Sequence, residues 1–240
     1  MTTRYSEIAQ WLRDRIADST YSPGETVPPI PELSSQFDVS RETVRDAISR
    51  LAAEGLVTPK RGIGTVVRDI SPVSMSYQPG AASQLWTTQN SNASDTLISA
   101  EWESADRGIA ERLEIPAAAQ VVHRVRHQRK GAGIAQIYET WIPQNVAQSL
   151  SQDVADATSQ PTTDGYTLMR QAGNPPATIT ETVSTRMPTP DERELMDLPA
   201  GVPMLVTHRT TRNSDSTPLE TSTLTGAGDR MTQTFTVPAE

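Results

Sequence analysis

Residues 39–57 read VSRETVRDAISRLAAEGLV, and this stretch decides how the N-terminal quarter of the chain folds. Its apolar side chains recur at the i, i+3, i+4, i+7 spacing of a helix with one buried face. They are Val44, Ala47, Ile48 and Leu51. Ser40 is a favourable N-cap and Gly55 a favourable terminator, so the spacing predicts a helix over 41–53.

The polar side of this helix has residue types that contact DNA. It presents Glu42, Arg45, Asp46 and Ser49, with Arg50 on its flank and Arg41 in the first turn. Arginine binds guanine O6 and N7 with two hydrogen bonds, whereas Glu42 would accept one from a cytosine amine. Ser40 and the first N–H groups would meet a phosphate. The alternative is a solvated helix with an Asp46–Arg50 ion pair.

The neighbouring segments favour the DNA-binding interpretation. A helix is predicted over 5–16, and a short helix over 32–37 precedes the stretch. Strands at 56–58 and 65–68 follow it and flank the loop PKRGIG. This order is typical of a winged helix, with Lys60 and Arg61 at the tip of the wing, placed for phosphates or the minor groove. The GIG of the loop opens no helix, so it is a weak match to a nucleotide-binding fingerprint.

The overall charge does not exclude DNA binding. The chain has 240 residues and a formal net charge of −8, but residues 1–68 hold nine Lys/Arg and nine Asp/Glu. The excess acidity therefore belongs to residues 69–240. There is no cysteine, which fits a reducing cytoplasm, and no apolar run approaches the roughly 18 residues of a membrane span. The length predicts two domains.

Residues 5–67 resemble the winged-helix domain of GntR-family transcription regulators. The matching pieces are PG at 23–24, ELSSQFDVSRETVRDAISRL, AEGLV and RGIGTVV. The resemblance implies base or phosphate contacts from Ser40, Arg41, Thr43, Arg45, Arg61 and Gly62. The complete predicted DNA-binding set adds Glu42, Ser49, Arg50, Lys60 and Thr65. Ile30 and Pro31 stand where the family has an acidic residue and an arginine, so Arg41 and Arg45 must carry more of the readout.

The remaining sequence predicts an α+β domain around a largely antiparallel sheet. Residues 69–95 are rich in Ser, Pro, Asn, Gln and Thr and form a predicted linker and polar loop. The predicted domains are therefore 1–68 and 96–240. Within the second, the predicted strands are 97–103, 121–128, 134–142, 177–186, 203–212, 219–225 and 231–237. The predicted helices are 105–113, 166–171 and one that begins with a capping box at Thr189.

This second part resembles the UTRA-type effector domain of the HutC subfamily, which has a chorismate-lyase-like fold. The matching pieces are ADRGIAERLEIPAAAQVVHRVR, IYETWIP, TRMPTPDERELMDLPAGVPMLVTHRTT, PLE and GDR. The resemblance implies that side chains at these motifs, and in the loop 88–94, hold a small effector. Arg124 and Arg126 are the candidates for its anionic group, and Glu139 and Glu220 for its hydroxyl or amine groups.

Two residue-level observations bear on that site. Arg124 and Arg126 are two apart on one strand, so they share a face and would fork a carboxylate or phosphate. A cross-strand Arg124–Glu139 ion pair is the alternative. Asp164 stands where relatives place a small hydroxyl residue, and its carboxylate would repel a phosphate. The predicted ligand therefore differs from a sugar phosphate, or there is none.

The chain is expected to be a cytoplasmic, homodimeric transcription repressor. Its expected partners are a two-fold DNA operator and a small polar or acidic metabolite, with no membrane and no cofactor. An alternative is a conjugative-plasmid transfer repressor whose second domain mainly dimerises. An enzyme is a distant alternative, because the chain lacks HExxH, GxSxG and a cysteine nucleophile, and the three histidines lie in strand-like segments. No catalytic or metal-binding residue is predicted.

Overall fold

The structure is a computed structural model that describes residues 4–70, 73–77, 93–130, 133–150 and 165–235. The chain forms two compact units. The first consists of Met1–Ser71 and Met187–Pro203, and the second of Pro72–Arg186 and Met204–Glu240. The segment Met187–Pro203, which the sequence assigns to the C-terminal domain, is thus grouped with the first unit. Most of the predicted linker and polar loop, and Asp164, lie outside the described residues.

Seven helices lie in the described ranges. They are α1 (Arg4–Ala17), α2 (Ile30–Phe37), α3 (Arg41–Ala53), α4 (Arg107–Leu113), α5 (Gln144–Leu150), α6 (Gly165–Gln171) and α7 (Pro190–Leu195). The strands of the same ranges are β1 (Val57–Lys60), β2 (Gly64–Val67), β3 (Val73–Tyr77), β4 (Ala93–Ser104), β5 (Gln120–Lys130), β6 (Gly133–Pro143), β7 (Thr178–Arg186), β8 (Met204–Arg212), β9 (Pro218–Ala227) and β10 (Met231–Phe235).

The first unit contains a three-helix winged-helix core, as the sequence predicts. Helix α3 spans the predicted residues 41–53 and buries the four predicted apolar positions. They meet buried residues from α1, α2 and the hairpin β1–β2: Ile8, Ala9, Leu12, Leu33, Val57 and Val67. Full burial of each large aliphatic side chain contributes about 1.5–3 kcal/mol before the entropy cost of folding. The apolar stripe of α3 therefore fixes which face of the helix is left for solvent.

The second unit is built on a six-stranded antiparallel sheet with strand order β4-β5-β6-β9-β8-β7. Residues directly opposite in neighbouring antiparallel strands point to the same side, so the register defines two faces. We call the side that carries Arg124 and Arg126 the arginine face, and the side that carries His123 and Trp141 the histidine face. Helices α5 and α6 pack on the arginine face and α4 packs on the histidine face.

Strand β3 and helix α5 are not predicted from the sequence. Strand β3 lies inside the predicted linker and pairs in parallel with β10, with Val73 opposite Met231. Its sequence, VSMSY, has only five residues, and its partner lies more than 150 residues further along the chain. Local pattern therefore gives no signal for this pairing, because a parallel ladder depends on a distant crossover.

Candidate nucleic-acid interface and candidate ligand site

The N-terminus of α3 is fixed by its cap. The Ser40 hydroxyl oxygen accepts a hydrogen bond from the Thr43 backbone N–H at 3.2 Å and lies 2.9 Å from the Thr43 hydroxyl oxygen. Ser40 itself has the extended backbone typical of an N-cap. The cap sets where the first turn begins, so Arg41 and Glu42 lie exposed at the positive end of the helix dipole.

The outward face of α3 is exposed along its length. Glu42, Arg45, Asp46 and Ser49 are all exposed. The Arg45 guanidinium pairs with the Glu42 carboxylate three residues earlier, at 2.9 Å, and both side chains are more than half exposed. An ion pair this open to water is worth only about 0.2–1 kcal/mol. Arg45 can therefore leave Glu42 for a stronger acceptor at small cost.

Arg50 is engaged within the winged helix. Its Nε donates to Glu54 at 3.2 Å, four residues further along the chain, whereas the alternative interpretation as a solvated helix paired Arg50 with Asp46. Glu54 also accepts from Arg13 of α1 at 2.8 Å. Burial would raise the pKa of Glu54, but hydrogen bonds from Arg13 and Arg50 outweigh it, and the pKa is lowered. Arg13, Arg50 and Glu54 thus connect α1 to α3.

The wing is a tight hairpin in which Lys60 pairs with Gly64. Gly62 and Gly64 have φ values of 79° and 123°, a backbone region that L side chains rarely adopt. The turn holds Arg61 exposed at the tip. Lys60 forms an ion pair with Asp197 of the same compact unit at 3.0 Å, and Thr65 lies half-buried on β2. Of the predicted wing cations, Lys60 is thus already paired within the unit.

Helix α2 begins where the sequence departs from the family pattern. Ile30 is its first residue, Pro31 lies in the first turn, and the N-cap position is Pro29, which has no side-chain capping bond. Proline is favoured at this position because its missing N–H would have no helical acceptor. Pro31 therefore fits the first turn of the helix but supplies no hydrogen-bond donor for DNA.

The arginine face carries three of the predicted effector-binding residues, Arg124, Arg126 and Glu220. Arg124 lies opposite Thr140, and Glu220 lies two strands away, opposite Thr211. Glu220 is 6% exposed and accepts a hydrogen bond from the Thr211 hydroxyl at 3.3 Å. Burial raises the pKa of Glu220, while the nearby Arg209 and Arg124 oppose that rise. Burial likewise lowers the pKa of Arg124.

Glu139 lies on the other side of the sheet. It pairs with Val125, so its side chain belongs to the histidine face, where it lies 3.3 Å from His123 Nε2. His123 also meets Glu103 through Nδ1 at 3.2 Å, and its ring stacks on Trp141 at a centroid distance of 4.6 Å. The structure corrects two expectations: Glu139 is not beside the arginine pair, and the alternative Arg124–Glu139 ion pair does not form.

The charges around His123 set its protonation. Burial would lower the pKa of this histidine, but the hydrogen bonds and negative charges of Glu139 and Glu103 outweigh burial and raise it. On the same face Arg112 of α4 reaches His208, and burial together with that arginine lowers the pKa of His208. These contacts attach α4 to the sheet.

Sequence reasoning missed several residues of the arginine face. Arg209 is fully buried, and its Nε donates to Glu181 at 2.6 Å. Glu181 in turn accepts from Gln233 of β10 at 3.0 Å. The Tyr166 hydroxyl lies 3.1 Å from that of Thr211, and burial raises the pKa of Tyr166. The sequence does contain a signal for Arg209 and Glu181, because both are charged residues among β-branched neighbours in predicted strands. Such a residue is expected to be buried and therefore to have a partner of opposite charge.

Asp95 is a further missed residue, at the start of β4. Its Oδ1 accepts a hydrogen bond from Arg126 Nε at 3.1 Å. Arg126 Nη2 is buried and has no hydrogen-bond partner within the described part of the chain. The Arg126 side chain is 11% exposed and that of Asp95 is 38% exposed. The pair is thus more open to solvent than Glu220 and Arg209.

Two family matches cover nearly the whole chain. Residues 4–67 match the gntR family of bacterial regulatory proteins, and residues 88–232 match the UTRA domain. The chain therefore belongs to the GntR-family transcription regulators that carry a UTRA domain. Among the described residues no group of three or more His, Cys, Asp or Glu could hold a metal ion, and no helix there is long and apolar enough to cross a membrane.

Similar proteins are transcription regulators. An uncharacterised HTH-type transcriptional regulator of Streptomyces coelicolor is 26% identical, over 97% of this chain and 91% of that protein. The "Probable fructoselysine utilization operon transcriptional repressor" of Escherichia coli is 31% identical, over 58% of this chain and 57% of that protein. The crystal structure of PhnF from Mycobacterium smegmatis is 25% identical and covers 99% of this chain and all of that one, with a TM-score of 0.60.

Proposed function

We propose that this regulator is a cytoplasmic homodimeric repressor that binds a two-fold symmetric DNA operator and responds to a small molecule. The observation that carries the proposal is the outward face of α3, where Arg41 and Arg45 are exposed; the wing arginine Arg61 is exposed too. An exposed arginine can donate two hydrogen bonds to the edge of a guanine, and phosphate oxygens can accept hydrogen bonds from the wing. Names of similar proteins that include "repressor" support the direction of control.

In this proposal the two helices α3 of a dimer enter successive major grooves. A dimer binds half-sites about 34–36 Å apart, so the distance between the two helices decides affinity. Some dimers have a helix separation that matches the half-site spacing, and others do not. A ligand regulates the protein only if its affinity for these two forms of the dimer differs. The ligand site would be the arginine face, which carries Arg124, Arg126 and Glu220. Phosphate contacts would make the binding sensitive to salt.

Selection of bound fragments from random and genomic DNA by the purified protein tests this proposal. The expected result is one enriched motif with two inverted half-sites, bound by two chains per duplex. Mass measurement of the protein–DNA complex gives the stoichiometry. Enrichment of a single half-site bound by one chain would refute the two-fold arrangement, and no enrichment at all would refute sequence-specific binding.

A further inference from the structure

We propose that the ligand of the arginine face is a zwitterion: a free α-amino acid, or a compound that keeps the amino-acid head group. Its carboxylate would accept from Arg126 and its ammonium would donate to Asp95. The proposal rests on the proposed function, because it takes the arginine face as the ligand site. It adds the chemical class of the ligand and assigns Asp95 as the residue that selects it.

Arg126 has donors left for a ligand. A guanidinium carries five N–H donors, and Asp95 takes the one on Nε. Nη2 of the same side chain is buried without a hydrogen-bond partner among the described residues. A buried charged donor in that state is costly, and a carboxylate that reaches Nη2 would satisfy it.

Asp95 places a negative charge beside this donor. It is the more exposed acid of the site, at 38% against 6% for Glu220, which is enclosed with Arg209 and Thr211. A carboxylate has two acceptor oxygens, and the Arg126 hydrogen bond uses Oδ1 of Asp95. This end of the arginine face therefore places a mostly buried cation with an unpartnered donor beside a more exposed anion.

This juxtaposition discriminates between ligand classes. A phosphate or a simple carboxylate would bring a second negative charge next to Asp95, and like charges at such distances repel. A neutral sugar would bring no anion to the unpartnered Nη2 of Arg126. An amino-acid head group carries both charges on one carbon, so its carboxylate meets Arg126 while its ammonium meets Asp95. Arg126 and Asp95 then each gain a second opposite charge beside the one that they already share.

The test is thermal denaturation and calorimetric titration of the full chain with four kinds of probe: the twenty proteinogenic amino acids, inorganic phosphate, acetate and methylamine. In the wild type at least one amino acid should raise the melting temperature, whereas phosphate, acetate and methylamine at equal concentration should not. Stabilisation follows from mass action because the ligand binds only the folded state.

Variants of the pair decide the assignment. Asp95→Asn should lower the affinity for the amino acid at least tenfold and raise the affinity for phosphate and acetate, so the preference between the two classes reverses. Asp95→Glu should keep the preference for amino acids. Arg126→Gln should no longer bind either amino acids or the two anions. Asp215→Asn is the matched control, because it removes one exposed acid in the turn between β8 and β9. The melting temperature without ligand reports whether each variant is folded.

Two results would overturn the proposal: no amino acid stabilises the wild type, or Asp95→Asn leaves the ratio of amino-acid to phosphate affinity unchanged. If Asp95→Asn does not fold, an unchanged preference for amino acids over phosphate in Asp95→Glu is required, and its loss counts against the proposal. Operator binding by the same samples without ligand is measured in parallel. If the wild type binds the operator but no amino acid stabilises it, the ligand class alone is refuted. If the wild type does not bind the operator, the proposed function is refuted.

Discussion

Replacing Arg45 and Arg50 separately by alanine distinguishes a base-reading arginine from a structural one. Both side chains are on α3 and each has an acidic partner, but the partners differ. Glu42 pairs only loosely with Arg45, since their side chains are 74% and 56% exposed. Glu54, by contrast, is held by both Arg50 and Arg13. We therefore expect Arg45 to be available to DNA and Arg50 to remain within the protein.

The expected sizes follow from these contacts. A bidentate arginine–guanine contact discriminates by about 1–3 kcal/mol. Arg45 must leave Glu42 to make this contact, and the broken exposed pair costs at most about 1 kcal/mol of the binding free energy. With the middle of each range, about 2 kcal/mol minus about 0.6 kcal/mol, Arg45→Ala should weaken operator binding by roughly tenfold, and by about 100-fold at most, since about 1.4 kcal/mol is a factor of ten. Arg50→Ala should lower the free energy of unfolding by about 0.3–0.5 kcal/mol, the value of an i, i+4 pair, and leave operator binding within about threefold.

Fluorescence anisotropy with the selected operator and a scrambled duplex, at one fixed salt concentration, measures both effects. Thermal denaturation of each variant confirms that it is folded. Equal losses on the operator and the scrambled duplex for Arg45→Ala would show that this arginine contacts phosphate rather than a base. A loss for Arg50→Ala as large as that for Arg45→Ala would refute the assignment of Arg50 to the Glu54 contact.

Three other measurements follow from the same structure. Lys60→Ala should weaken binding to every sequence alike and reduce the salt slope by about one, whereas Asp197→Asn, which frees Lys60, should strengthen binding slightly; anisotropy across a salt series checks both. Because the pKa of His123 is raised in the folded state, protonated His123 contributes its full stabilisation below the ordinary pKa of 6.5, and this stabilisation is lost as pH rises through the folded pKa. In the wild type the melting temperature should therefore fall between these two pKa values, and His123→Gln should make this fall smaller. Ser40→Ala should cost about 1 kcal/mol of unfolding free energy in urea denaturation, because α3 loses its cap.

Much of the winged helix could be predicted because its elements are local. The bounds of α3 follow from a cap, a four-position apolar stripe and a glycine, and all of these lie within sixteen residues. The wing follows from a short basic loop between two β-branched segments. Such signals act through the nearest turns of the chain, so they do not require knowledge of distant contacts.

The candidate ligand site could be predicted only in part. Strand alternation places Arg124 and Arg126 on one face whatever the fold. The face of Glu139 depends on the hairpin register, and a slip of one residue moves every side chain of a strand to the opposite side. The observed register pairs Glu139 with Val125 and so separates it from the arginines.

The sequence by itself determined the bounds of α3, the alternation of the long strands and the separation of charge between the two halves. The tertiary structure decided which charges meet. Arg209 reaches Glu181 because β7 and β8 are neighbours, and Glu220 joins the arginine face because β9 lies beside β6, more than 70 residues away along the chain. Burial and pairing depend on strands brought together by folding, and a local pattern does not contain that information.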